Sequence, residues 1–206
     1  MAESHLPYRL TETNSCYHGG KPGLSNTFAS SLWALDLMFQ VALLGGEGIN
    51  FHGGGYGWYS PIVGTVEDGF VARPEYYALL LFSQLLGARI VSNHLEVLEV
   101  SSGARQDLLC HSLQNTDGRM QAVVINKSAT LGFDLTVQAG VAARRISIQR
   151  LIAPGLESQS DVTFSGAPVG MRGAWRADHV ESASLRNGAA TSFIPAASAA
   201  LLTWEG

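Results

Sequence analysis

The sequence predicts an α/β segment followed by an all-β domain, with the change near residue 88. Before that position two predicted strands alternate with two predicted helices, an order that favours parallel strands joined by right-handed crossovers. After it, apolar runs alternate with turn signals, which is typical of an antiparallel β-sandwich. The composition agrees, because 206 residues with 46% hydrophobic residues, 15% charged residues and 23 glycines favour short strands and close turns.

The first strand and helix are predicted by a change from a short apolar run to helical spacing. Residues 8–14 indicate a strand that enters a glycine-rich turn over 18–23. Ser25 is a suitable N-cap, and the helix after it has apolar residues every three or four positions. That stripe consists of Phe28, Leu32, Leu35, Phe39 and Leu43. Gly45 and Gly46 then end the helix.

The second strand and helix are separated by a long loop. Residues 48–52 form a short apolar run that ends at three glycines and predicts a buried strand. The loop carries Tyr56, Trp58 and Tyr59. A second helix starts at Pro74 and stops at Gly87, with an apolar stripe made of Tyr77, Leu80, Leu81 and Leu85.

Seven apolar runs predict the strands of the β domain. They are separated by turn signals such as Pro154-Gly155 and Asn187-Gly188. The runs cover residues 90–91, 95–100, 108–113, 121–126, 131–137, 145–152 and 199–204.

Charge and hydropathy exclude several classes of partner. The formal net charge is −4 without a basic block, so we expect no nucleic-acid partner. No apolar stretch reaches the roughly 18 to 20 residues of a membrane span, so we expect no membrane partner. The first five residues lack the basic region and apolar core of a signal peptide, which leaves the compartment undetermined. No closely spaced Cys/His set resembles a zinc site, and neither a metal nor a cofactor is expected.

Several segments of the α/β part resemble a known family of glycosidases. Thr11-Glu12-Thr13-Asn14-Ser15 is followed by Tyr17-His18-Gly19-Gly20 and by a helix start at 23–29. The stretches 31–36, 48–53 and 74–82 then follow in the order seen in that family. Over residues 8–87 the chain resembles glycoside hydrolase family 79, which contains bacterial β-glucuronidases and the heparanases. Beyond residue 87 the resemblance is weak.

The resemblance implies a fold and a division of the chain. Residues 1–87 would be the last two βα units of a (β/α)8 TIM barrel, from the seventh strand to the eighth helix. Residues 88–206 would be an antiparallel β-sandwich domain. Such a barrel needs about 200 residues or more, so its N-terminal part is missing here and is an expected partner. The residues alone also allow a small irregular protein with an α/β part and a β part.

The resemblance also implies a retaining mechanism in which two carboxyl groups act on the sugar. By position, Glu12 is the nucleophile, and the catalytic groups of such barrels lie at C-terminal strand ends. Tyr17, Gly19 and Tyr59 are the candidate contacts to the carboxylate of a uronic acid. A hydroxyl and a backbone N–H bind a carboxylate without a full positive charge, and glycine lets the backbone approach closely.

The resemblance does not identify the second catalytic carboxyl in this sequence, and the hydrogen-bond partners of the nucleophile are inferred only from its neighbours in the chain. In the family the acid/base is the glutamate of an Asn-Glu pair, and this sequence contains no Asn-Glu dipeptide. We expect Glu47, Glu67 and Glu75 to be surface or loop residues, so none is assigned. Asn14, Ser15 and backbone amides of the following turn are expected to donate hydrogen bonds that keep the nucleophile ionised.

Each assignment has a structural alternative. Glu12 by itself would be a solvated glutamate at a strand end. Tyr17 would be a turn tyrosine that packs its ring, and Gly19 a residue that permits the turn. Tyr59 would cover a barrel end. His52 either reaches the cleft from the end of its strand or is a buried, hydrogen-bonded histidine.

The sequence therefore predicts the C-terminal part of a retaining glycosidase that takes a carbohydrate, a β-linked glucuronide, as its substrate. The chain alone is expected to be inactive because the acid/base is missing. Two alternatives stay open. One is a non-catalytic carbohydrate-binding or structural β module with a vestigial α/β portion, and the other is a glycosidase of the same clan for neutral sugars. Because the family includes exported and lysosomal enzymes, we expect a parent protein outside the cytosol.

Overall fold

A computed structural model describes residues 6–96, 107–138 and 143–206 of the chain. In its α/β part, two parallel strands are joined by a helix and followed by a hairpin and a second helix. The elements are β1 (Tyr8–Thr13), α1 (Phe28–Leu43), β2 (Gly46–Phe51), β3 (Ile62–Thr65), β4 (Gly69–Ala72) and α2 (Pro74–Ser83). β1 pairs with β2 in parallel, as the order of elements predicts. Within the described ranges neither helix is long and apolar enough to cross a membrane.

The remainder of the described chain is mainly antiparallel sheet. Its strands are β5 (Arg89–Val91), β6 (Leu108–Gln114), β7 (Met120–Asn126), β8 (Phe133–Gln138), β9 (Arg145–Ile152), β10 (Thr163–Phe164), β11 (Glu181–Ser184), β12 (Ala189–Ile194) and β13 (Ser198–Glu205). A seven-stranded sheet has the order β10-β9-β13-β7-β6-β5, with β11 also paired to β9, while β8 and β12 form a separate pair. The strand predicted over 95–100 lies mostly outside the described residues.

The large sheet is covered on both faces, and the alternation of side chains along its strands shows this. Val123 and Ile125 of β7 pack in a core with the two helices. Ala122 and Val124, on the opposite face of the same strand, pack in a second core with β8 and β12. Successive residues of a strand point to opposite faces. The α/β part therefore rests directly on the sheet of the β domain.

The start of α1 differs from the prediction and is bound by the β domain. The helix begins at Phe28 with Thr27 as N-cap, and Ser25 is not the cap. The Ser25 hydroxyl instead accepts a hydrogen bond from the Lys21 N–H at 2.9 Å within the preceding turn. The first N–H groups of the helix donate to the carbonyls of Leu156 and Ser158 at 2.8 Å. These carbonyls satisfy donors that a helix leaves unpaired at its N-terminus.

The junction of α1 with the sheet contains a buried histidine. The imidazole of His111 on β6 stacks on the ring of Phe39 with centroids 4.1 Å apart. Its Nε2 is buried without a hydrogen-bond partner in the structure described here. Burial lowers the pKa of His111, and the charge of Asp36 raises it by a smaller amount. Protonation therefore opposes folding at this junction.

We expect His111→Phe to reduce the loss of stability on acidification. Because the folded-state pKa is lower than the unfolded value of about 6.5, the unfolded chain binds the proton first, and stability falls as pH decreases below about 7. Urea unfolding at pH 7, 6 and 5 measures the effect, and the wild type should lose more stability than the variant. His94→Gln, at an exposed site, is the control and should follow the wild type. Parallel curves for wild type and His111→Phe would contradict the prediction.

Candidate functional site

Glu12 and His52 meet at the carboxyl edge of the parallel strand pair. Thr13 lies opposite Phe51 at the end of the β1–β2 ladder, and the His52 N–H donates to the Thr13 carbonyl at 2.8 Å. Glu12 Oε1 lies 2.8 Å from His52 Nδ1, and the two side chains are 71% and 50% exposed. The carboxylate is therefore held on one side and open to solution on the other.

The contacts of His52 define where its hydrogen lies. An ionised carboxylate has no hydrogen to donate, so the hydrogen of this bond must be on Nδ1. The hydroxyl oxygen of Tyr59 lies 3.2 Å from the same Nδ1. Because Nδ1 carries the hydrogen, it cannot accept one from Tyr59. The hydroxyl hydrogen of Tyr59 is left to donate to another acceptor.

Asn14 joins three segments around this pair. Its Nδ2 lies 2.9 Å from the His52 carbonyl, 3.3 Å from the Tyr59 carbonyl and 3.3 Å from Glu75 Oε1. Its Oδ1 accepts from the Ser15 N–H at 2.6 Å. The Ser15 hydroxyl is buried without a partner among the described residues. The prediction that Asn14 donates to the nucleophile is therefore wrong, because the two amino hydrogens of Asn14 are shared among these three acceptors and none of them is Glu12. No bond from Ser15 to the nucleophile is found either.

Glu75 is also placed differently from the prediction. It lies in the first turn of α2 and is only 1% exposed, so it is not a surface or loop residue. Burial raises the pKa of the Glu75 carboxyl to about 8, while the hydrogen bond from Asn14 lowers it by a smaller amount. At neutral pH the side chain is therefore mostly a neutral acid.

The glycine turn after Asn14 contacts the loop that carries Tyr59. The Trp58 N–H donates to the Gly19 carbonyl at 2.5 Å. A Cβ at Gly57 would lie 2.8 Å from that carbonyl oxygen, and a Cβ at Gly20 would lie 2.8 Å from the Tyr59 nitrogen. Gly19, Gly20 and Gly57 all have positive φ. Glycines thus allow the two backbones to touch beside the Glu12–His52 pair.

Arg73, the N-cap residue of α2, binds the loop that carries Tyr59. Its Nη1 donates to the carbonyls of Gly57 and Trp58 at 2.7 and 3.0 Å. An open cleft of about 520 Å³ lies next to this loop. Its lining includes the glycines at 53–55 and the aromatic rings of Tyr56 and Phe70.

The predicted sugar contacts have different environments. Tyr17 is 87% exposed, and its ring lies against that of His18 with centroids 4.1 Å apart. Tyr59 is buried with its hydroxyl at His52, and Gly19 uses its carbonyl to bind the loop. The structure therefore gathers Glu12, His52 and Tyr59 into one cluster and leaves the Tyr17 side chain in solution. Within the described ranges, no group of three Cys, His, Asp or Glu residues forms a candidate metal site.

The sequence alone did not identify Asn14 and Glu75 as partners, and it left the role of His52 undecided. The available signal for His52 was its place directly after an apolar strand and before three glycines. For Glu75 there was no signal, because an acidic residue in the first turn is normal for an exposed helix.

Curated proteins of similar sequence are glycosidases. A β-glucuronidase of Aspergillus niger is 29% identical over 178 residues, which are 78% of this chain and 33% of that protein. Heparanase of Mus musculus is 37% identical over 86 residues, or 40% of this chain and 15% of that protein. A β-glucuronidase of Neurospora crassa is 41% identical over 39% of this chain and 15% of its own length. No protein-family model matches the chain. The chain thus spans a third or less of these relatives.

Solved structures of glycosidases share the fold. A 4-O-α-L-rhamnosyl-β-D-glucuronidase from Fusarium oxysporum matches 96% of this chain and 43% of its own, with a TM-score of 0.72 and 23% identity. The catalytic domain of GH30 xylanase C from Talaromyces cellulolyticus matches 99% of this chain and 42% of its own, with a TM-score of 0.64 and 15% identity. These are TIM-barrel glycosidases, and the likeness shows that the chain has the fold of part of such a protein.

Proposed function

Because this chain is a homologue of the β-glucuronidases and heparanases and corresponds to part of a glycosidase, we propose that it forms the C-terminal part of a retaining enzyme for β-linked glucuronides. Residues 1–87 would supply the last two βα units of the barrel, and residues 88–206 the β domain behind them. The relative from Aspergillus niger, which matches 78% of this chain, is named a β-glucuronidase.

The observation that carries the proposal is the Glu12–His52 pair. Glu12 lies at the carboxyl end of a parallel strand, where the catalytic groups of (β/α)8 barrels are found. The 2.8 Å contact with Nδ1 of His52 orients one carboxylate oxygen. The exposed side of the carboxylate is free to reach an anomeric carbon.

The proposed reaction is a double displacement. An oxygen of Glu12 attacks the anomeric carbon and forms a glycosyl ester, while the bond from that carbon to the leaving oxygen breaks. A second carboxylic acid protonates the leaving oxygen and becomes a carboxylate. In the next step this carboxylate takes a proton from a water molecule, and the water oxygen attacks the same carbon, which breaks the ester and frees Glu12. We assign this second group to the part of the barrel that is not in this chain, because Glu75 is buried and bonded to Asn14.

Recognition of the sugar carboxylate is proposed for Tyr17, Gly19 and Tyr59. The free hydroxyl hydrogen of Tyr59 supports its role as a donor. Tyr17 is exposed at the same edge of the strand pair, five residues after Glu12, and its hydroxyl is available to a ligand. Gly19 offers a backbone N–H at a position where a side chain would be strained by positive φ.

The missing part of the barrel is the proposed protein partner. Among the described residues, β1 and β2 pair only with each other, whereas every strand of a closed barrel has two neighbours. The outer edges of both strands therefore have free hydrogen-bonding groups. Pairing with the other barrel strands would cover these edges and bring the acid/base towards Glu12.

A chimera tests the proposal. Residues 6–206 replace the matching part of the Aspergillus niger relative, and folding is checked by a cooperative thermal transition. The chimera should hydrolyse an aryl β-glucuronide, release the β-anomer first as detected by NMR, and act much more slowly on the matching β-glucoside. The 206-residue chain alone should show no turnover. Turnover by the chain alone would contradict the partial-barrel interpretation, while a preference for the glucoside would support an enzyme for neutral sugars.

Tyr17→Phe in the chimera should lower kcat/KM for the glucuronide by about 10- to 100-fold. This range corresponds to one hydrogen bond to a charged group. The rate with the β-glucoside should change little, because that sugar has no carboxylate. Tyr8→Phe, at a 38% exposed tyrosine at the N-terminal end of β1, is the control. Equal losses on both sugars would show that Tyr17 does not recognise the carboxylate.

A further inference from the structure

We propose that Glu75 is a positioning residue for Glu12 and acts through the side chain of Asn14. The inference rests on the proposed role of Glu12 as nucleophile. Its first support is that Asn14 Nδ2 lies within hydrogen-bonding distance of Glu75 Oε1 and of the carbonyls of His52 and Tyr59. The imidazole of His52 contacts Glu12, and the hydroxyl of Tyr59 lies against the same imidazole.

The Asn14 amide links the backbone of the site to one buried acceptor. Asn14 follows Glu12 by two residues, so the amide lies on the same segment as the nucleophile. Its oxygen is already bonded to the Ser15 N–H, which leaves only the amino group for contacts across the site. The carboxyl of Glu75 therefore helps to set the direction in which this amino group points.

Helix α2 is a rigid support for that carboxyl. Ala78 and Leu81 of the helix are fully buried, and the Tyr77 hydroxyl accepts from the Val169 N–H at 2.9 Å. The carbonyl of Pro74 accepts a hydrogen bond from the Ser31 hydroxyl of α1. Since α1 and α2 both pack on the large sheet, Glu75 connects the site to the main core of the protein.

The neighbouring charged groups are engaged elsewhere. Glu12 and His52 pair with each other, and Arg73 donates to loop carbonyls. The hydroxyl oxygen of Tyr59 lies at Nδ1 of His52 and not at Glu75. Among the described residues, Asn14 is the one hydrogen-bond partner of the Glu75 side chain. A neutral carboxyl suits this place, because an ionised one would be buried without a counter-charge.

Nitrogen-15 NMR of the 206-residue chain tests the contact directly. The side-chain amide signals of Asn14 should titrate with a midpoint near pH 8, the value to which burial raises the pKa of Glu75. In Glu75→Gln this titration should disappear while the Asn14 signals stay dispersed. In Glu75→Ala the amide should exchange rapidly with water, and the His52 Nδ1 signal should shift. If the wild-type Asn14 signals show no pH titration that Glu75→Gln removes, the proposal is overturned. This comparison can be made even if Glu75→Ala fails to fold.

Activity of the chimera gives a second readout. Glu75→Ala should lower kcat by about 10- to 100-fold with a smaller change in KM, as expected for a displaced catalytic group. Glu75→Gln should recover most of that loss, because its amide oxygen can still accept from Asn14. Glu47→Gln makes the same substitution at an exposed position of β2 and is the control. An inactive wild-type chimera would count against the proposed function, and the NMR titration would then decide the role of Glu75.

Discussion

Glu12→Ala in the chimera should lower kcat for an aryl β-glucuronide by roughly 10⁴- to 10⁶-fold, the range seen when a covalent nucleophile is removed. Without the carboxylate no glycosyl ester forms. The fold should survive, since the side chain is 71% exposed and its contact at 2.8 Å is with His52, itself half exposed. Rates with saturating substrate measure the effect.

Azide distinguishes a nucleophile from an acid/base. In Glu12→Ala the small anion can enter the space left by the carboxylate and attack the anomeric carbon from the same face, which yields an α-glycosyl azide. Loss of an acid/base would instead leave the ester-forming step in place and yield the β-azide. Glu47→Ala is the matched control and should retain wild-type kcat. A β-azide, or unchanged activity in Glu12→Ala, would show that Glu12 is not the nucleophile.

Phe39→Ala should destabilise the 206-residue chain by about 3–5 kcal/mol, the usual range for removing a buried aromatic ring. Phe39 is fully buried on α1. The centroid of its ring lies 5.2 Å from that of Phe82 in α2 and 4.1 Å from that of His111 in β6. Truncation would leave a cavity at the point where both helices and the sheet meet.

Urea unfolding followed by both tryptophan fluorescence and circular dichroism measures this loss. Both signals should move together, because the helices and the large sheet share one core. Leu43→Ala on the same helix is the control, since Leu43 is 53% exposed, and should change stability by about 0.5 kcal/mol or less. A variant that shifts one signal and leaves the other in place would show that the two parts unfold separately.

The order of β1, α1, β2 and α2 could be predicted because each of these four elements has a strong local pattern. The stripe from Phe28 to Leu43 has helical spacing, and the glycines after it mark the end of the helix. The parallel pairing of β1 and β2 follows from the helix between them. The resemblance to glycoside hydrolase family 79, seen in residues 8–87, is confirmed by the β-glucuronidase and heparanase homologues.

The elements that were missed are short or lie in segments with weak patterns. The predicted loop between β2 and α2 contains the hairpin β3–β4, for which Asp68-Gly69 between two apolar runs was an available signal. β10 has only two residues. β11 and β12 lie on either side of Asn187-Gly188, where the sequence predicts a turn. β11 pairs with β9 of the large sheet and β12 with β8 of the small one, so this turn connects two sheets.

The site could be predicted only in part, for a physical reason. Glu12 and the glycine turn are close in sequence, so a motif identifies them. The partners of Glu12 and Asn14 come from other elements, and their identity depends on the packing of β2 and α2. An acidic residue after Pro74 gives no sign of burial, because the same residue would stabilise the first turn of an exposed helix.

The carbonyls of Leu156 and Ser158 that bind the start of α1 have a consequence for the order of folding. During synthesis the helix emerges long before these carbonyls, because most of the β domain lies between them in the chain. The first turn of α1 therefore stays incompletely bonded until the loop after β9 has been made. The strand pair that α1 connects, and with it the Glu12–His52 contact, should reach its final geometry only late in biosynthesis.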